Sequence, residues 1–144
     1  MIADDGRREG PPREGIVFTY EYIKGSLILI DTLKNPIPRS GDEFGASMHC
    51  DEQRLIVGCP GDVMGGVPGG EAWIYTRTSE GWVAESRLWV EGLPYGSRFG
   101  EVVAIHGDYA AVGTPRFDAQ GIWDKGRVDI FKRTEDGWAL TSTL

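Results

Sequence analysis

The stretch FGASMHCDEQRLIVGCP runs from Phe44 to Pro60, and FGEVVAIHGDYAAVGTP runs from Phe99 to Pro115. Phe-Gly opens each copy, Gly-x-Pro closes it, and the second copy starts 55 residues after the first. Agreement at several fixed offsets marks a structural unit that packs against copies of itself. Within each copy, apolar and polar residues alternate without a helical period, which predicts strands. Each copy therefore reads as a hairpin. Strand one covers 45–50 or 100–105, and strand two covers 55–59 or 109–114. The turns between them are Asp51–Arg54 and His106–Asp108. Pro60 and Pro115 end strand two because proline cannot donate to a ladder.

A second pattern fills the space between the hairpins. GIVFTYEYIKGSLILIDTL (Gly15–Leu33), GEAWIYTRTSEGWVAESRL (Gly70–Leu88) and GRVDIFKRTEDGWALTSTL (Gly126–Leu144) align without gaps. Tyr20, Tyr75 and Phe131 share one offset, and Leu27, Trp82 and Trp138 share another. Large apolar side chains at fixed offsets imply a repeated packing contact. Each is a strand, a short turn and a second strand, so a full period holds four strands. Such a period, four antiparallel strands per ~40–55 residues, is that of a β-propeller blade. The fold class expected is all-β, an incomplete propeller of about two and a half blades: a half blade at 15–33, then blades at 44–88 and 99–144. Residues 1–14, charged and rich in Gly and Pro, read as a disordered tail or an upstream remnant.

Composition excludes some functions. The chain has 144 residues, 21 of them glycine, and a net charge of −7. Excess negative charge opposes nonspecific nucleic-acid binding, which depends on Lys and Arg neutralising phosphates. No apolar run approaches the ~20 residues of a membrane span, so no membrane insertion is expected. Cys50 and Cys59 fall at distant ends of paired strands, too far apart to bond, and read as two half-buried thiols. His49 and His106 are not at equivalent repeat positions, and no nucleophile stands beside a base at a recognisable spacing. The run Met64–Gly70 lacks the Lys-Ser/Thr of a phosphate loop and precedes a strand, so it reads as a flexible loop.

The quoted residues resemble the FG-GAP repeats of integrin α-subunit propellers and of many bacterial surface proteins. Phe44-Gly45 with Gly58-Cys59-Pro60, and Phe99-Gly100 with Gly113-Thr114-Pro115, carry the resemblance. It extends over residues 15–144, and it implies a secreted or surface-displayed interaction module. Integrin-type repeats carry an Asp-rich calcium loop between the two strands. Asp51–Arg54 and His106–Asp108 are too short to supply the six to eight oxygens calcium takes, so no metal or cofactor is expected. Propellers close with roughly four to eight blades. The partners expected are therefore further blades, in a longer chain of which this is a fragment or by self-association.

The strand order sorts the connections between two ends. Turns one-to-two and three-to-four are short and share one end. The long connections, 34–43, 61–69, 89–98 and 116–125, share the other, where repeat proteins place binding residues. The candidate ligand-binding residues are Asp62, Trp89, Tyr95, Arg98, Arg116, Asp118, Trp123 and Asp124. Aromatic residues with Arg suit a protein or carbohydrate ligand. Trp89 and Trp123 fit packing between blades equally well. The aspartates fit either solvated charge or a cation held with loop carbonyls. The function expected is non-catalytic binding through this end. The alternatives are an accessory segment of a larger hydrolase or other enzyme, and a structural spacer.

Overall fold

The computed structural model describes residues 2–4, 15–61, 69–119 and 122–144. The expected loop at Met64–Gly70 lies largely outside the described residues, as does Asp62. The described chain is all-β, arranged in three antiparallel sheets. The first contains Ile2–Asp4 (β1), Ile16–Ile23 (β2) and Ser26–Lys34 (β3) in the order β1-β2-β3. The middle sheet is a meander of Ser47–Cys50 (β4), Arg54–Cys59 (β5), Glu71–Thr78 (β6) and Gly81–Leu88 (β7). The third repeats that meander with Val102–His106 (β8), Tyr109–Thr114 (β9), Arg127–Thr134 (β10) and Gly137–Thr143 (β11).

The registers are as repetitive as the sequence. Gly58 pairs with Ala72 and Gly113 with Val128. Each sheet carries a register shift immediately before its shared aromatic, at Thr19/Tyr20, Ile74/Tyr75 and Ile130/Phe131. The bulge leaves one residue of the partner strand unpaired and re-aims it. In the middle sheet that residue is Glu85.

The sequence gives no warning of β1, which falls within the stretch read as a tail. Ala3 pairs with Val17, the register by which Gly58 meets Ala72. β1 therefore takes the place of strand two in the first sheet, a place the sequence reading left empty. Its pairing satisfies an edge of β2 that would otherwise expose a row of donors and acceptors. Residues 1 and 5–14 lie outside the described residues.

Two cores separate the sheets. Leu55, Val57, Cys59, Trp73 and Tyr75 point to the first sheet, where Val17, Leu33 and Phe44 meet them. Their sequence neighbours Ile56, Ala72 and Ile74 point the other way, to Phe99, Val103, Ile105, Val112 and Phe131. The middle sheet is thus covered on both faces, which is why β5 is buried at every position. Phe44 sets its ring edge-on to Tyr75, and Phe99 does the same to Phe131, with centroids 6.3 and 6.2 Å apart. The openings of the two quoted stretches therefore make the same contact in successive cores.

Trp82 and Trp138 are half-buried at the margins of these cores, not at their centres. The two cysteines are free and differ from each other: Cys50 is exposed and Cys59 buried. Burial, followed by the charges of Glu71 and Asp42, raises the Cys59 thiol well above its ordinary range. A thiol reagent is expected to titrate one cysteine in the native protein and both in denaturant. Rapid modification of both in the native state would contradict the packing of β5.

Candidate functional site

The registers place the strand ends that flank the long connections at one end. Cys59 pairs with Glu71 and Ala72 with Leu88 there, while the tight turns at Cys50–Arg54 and Thr78–Gly81 close the other end. The candidate binding residues that are described divide into anchored and presented ones.

Arg98 is anchored. It stands in the left-handed region (φ 63°) directly before Phe99, and Glu43 stands likewise (φ 55°) before Phe44. The Arg98 guanidinium donates to Glu43 at 2.7 Å and also to Glu101. Burial disfavours the charged form, but the bonds to Glu43 and Glu101 outweigh it and raise its pKa. Arg98 is thus a strut between equivalent points of successive repeats. The sequence missed this because the partners lie 55 residues apart and meet only when the sheets stack.

Trp89, Tyr95 and Trp123 are presented. Tyr95 occupies a turn in which the Ser97 backbone N–H and hydroxyl both donate to the Pro94 carbonyl, at 3.3 and 2.8 Å. Leu93, buried beneath, fixes the loop, and Tyr95 remains 65% exposed. Trp123 follows Ile122, which exchanges reciprocal backbone bonds with Ala119 at 3.1 and 3.0 Å. The Asp124 N–H donates to the Asp118 carboxylate at 2.7 Å, so these two aspartates do come together, as a loop clasp. Trp123 is 83% exposed on this clasped loop, and Trp89 and Arg116 are exposed as well. Order in the backbone beneath an exposed aromatic reduces the entropy lost when a ligand covers it.

Polar side chains the sequence did not single out hold this end together. Glu71 accepts from the Trp73 indole at 3.0 Å, the Arg87 Nε at 2.7 Å and the Asn35 amide at 3.3 Å. Asn35 also donates to Asp42 at 2.7 Å, and Asp42 accepts the Phe44 N–H at 3.0 Å. In the third sheet Arg127 and the fully buried Asp129 form an ion pair, joined by the Thr143 hydroxyl at 2.7 Å. A buried carboxylate needs such donors because its desolvation is otherwise too costly.

The short-turn end is committed to packing. Asp51 accepts from Gln53, Arg54 and Gly107 backbone N–H groups at 2.7 to 2.8 Å. Burial raises its pKa, and these amides together with the Arg54 charge outweigh that and lower it. Arg54 donates to the Gly107 carbonyl at 2.9 Å, while Glu85 accepts from Arg133 at 2.8 Å and the Trp138 indole at 3.2 Å. Among the described residues no three His, Cys, Asp or Glu side chains gather into a metal-binding group.

An open groove of about 780 Å³ crosses the outer face of the third sheet, lined by Val102, Ala104, Ala111, Gly113, Val128 and Leu144. It reaches the long-loop end at Phe117 and Ala119. The alternation in β8 and β9 gave no sign of it, since an open face and a covered one read alike.

A scan against protein-family models finds no match for the chain, and no curated protein matches it.

Proposed function

We propose that this chain is a non-catalytic interaction module of the FG-GAP type, a segment of a β-propeller that binds a protein or carbohydrate through its long-loop end. The observation that carries the reading is the pair of aromatics, Tyr95 and Trp123, held exposed on hydrogen-bonded loops at one end of the molecule. Aromatic side chains on an ordered base supply large contact area at low entropic cost. The propeller reading draws support from the meandering four-strand sheets, their equivalent bulges and the repeated placement of Phe44 and Phe99.

Titration of tryptophan emission with a panel of oligosaccharides and peptides tests this function. A ligand is expected to bind the native chain, and Trp123→Ala or Tyr95→Ala is expected to weaken it by about 2 kcal/mol. Thermal stability should change by no more than about 0.5 kcal/mol, as for exposed side chains. Unchanged affinity in both variants would remove the long-loop end as the binding surface.

A further inference from the structure

The groove on the third sheet and the outer face of the first sheet are the two sides of an interface the chain already makes twice internally. Ala111, Gly113, Val128 and Leu144 line the groove at the repeat positions of Ile56, Gly58, Ala72 and Leu88. Those four middle-sheet residues form the face that the third sheet covers. On the first sheet, Phe18, Tyr20 and Leu27 hold the repeat positions of Trp73, Tyr75 and Trp82, which pack against the preceding sheet. Register places Tyr20 opposite Leu29 and Tyr22 opposite Leu27, so these side chains share a face. Tyr22 is 72% and Leu27 is 67% exposed, a contiguous apolar surface of the kind that marks an interaction site.

We propose that a second copy of this chain docks there, its first sheet lying on the third sheet of its neighbour. The contact continues the internal stacking of first on middle and middle on third sheet. It is head-to-tail, because the two faces are different surfaces. The partner's Tyr20 and Phe18 enter the groove between Ala111 and Val128, as Tyr75 and Trp73 enter the core beside Val17 and Leu33. The docking uses the sheet faces and leaves Tyr95 and Trp123 free for a ligand.

Light scattering coupled to gel filtration, run from micromolar to submillimolar chain, tests the proposal with variants on each face. The native chain is expected to elute as a particle of more than one chain whose mass falls on dilution. Tyr20→Glu and Val128→Glu place a carboxylate on opposite faces at positions 36% and 37% exposed. Each is expected to weaken association by about a hundredfold or more. Leu29→Glu and Leu144→Glu, at positions 50% and 78% exposed, repeat the test with less risk to folding. An equimolar mixture of a first-face variant and a third-face variant should form a pair of one chain each, since one intact face of each kind survives. A native chain of single-chain mass at every concentration would overturn the proposal and leave a different protein as occupant. Association that survives both variants would overturn it, as would a mixture that does not pair.

Discussion

Gly58→Ala is expected to destabilise the protein by about 3 kcal/mol or more, an overpacking cost at the upper end of its range. A Cβ at this position would stand 1.9 Å from the Gly100 carbonyl oxygen and 2.3 Å from the Ser47 hydroxyl. The Gly100 carbonyl already accepts the Ser47 hydroxyl at 2.7 Å, and both belong to the seam between the middle and third sheets. The Ser47 hydroxyl can rotate aside, but the Gly100 carbonyl is backbone, so relief requires the sheets to separate. The contact joins the two quoted stretches, since the glycine that closes the first meets the one that opens the second. Gly113 provides the control, because it is the repeat equivalent of Gly58 on the face that no sheet covers. A Cβ there meets only Val102, at 3.3 Å. Gly113→Ala is expected to change stability by less than about 1 kcal/mol, the ordinary scale for a glycine exchanged in a strand. Chemical denaturation of the two variants measures the difference. Equal costs would mean that the close approach of the sheets is not what requires Gly58.

Phe99→Ala is expected to cost about 3–5 kcal/mol, the range for deleting a fully buried aromatic. Its ring is completely buried, edge-on to Phe131 and packed among Ile56, Ile74 and Val103. Phe44→Ala removes the equivalent contact with Tyr75 in the other core. That core also has a hydrogen bond across it, from the Tyr75 hydroxyl to the Lys34 carbonyl at 2.9 Å. Among the described residues the first sheet has no counterpart of β4, and Val17 and Leu33 are the buried side chains it contributes to its core. Loss of Phe44 should therefore release the first sheet at lower denaturant than the other two, whereas loss of Phe99 weakens the whole molecule. A single coincident transition in both variants, by circular dichroism and by tryptophan emission, would contradict that order.

The contrast between these positions shows what the sequence could disclose. Strand positions and the division of connections between two ends were legible, because hydrophobic alternation and turn residues are local signals. The contact between Phe44 and Tyr75 was legible only as a shared offset. The ion pair from Arg98 to Glu43 and the bond from Asp51 to Gly107 were not legible, since each joins residues in different repeats and exists only once the sheets are stacked. Arg98 read from the sequence as a ligand residue, and its ion pairs with Glu43 and Glu101 were not foreseen. Tyr20 and Leu27 hold the repeat offsets of packing positions, and within a single chain the fold leaves them on an outer face. At the candidate site, Trp123 and Tyr95 could be named from sequence, but not the clasp of Asp118 on Asp124 or the turn at Pro94 that holds them out.

Hydrogen exchange in dilute solution tests the stacked arrangement most directly. The middle sheet is enclosed by its two repeat equivalents. Amides of β5 and β6 are therefore expected to exchange most slowly, approaching the free energy of global unfolding. Amides of β2, β3 and β11, each on a sheet with one open face, should exchange through smaller openings. Exchange of β5 and β6 as fast as that of β2 and β3 would contradict the arrangement.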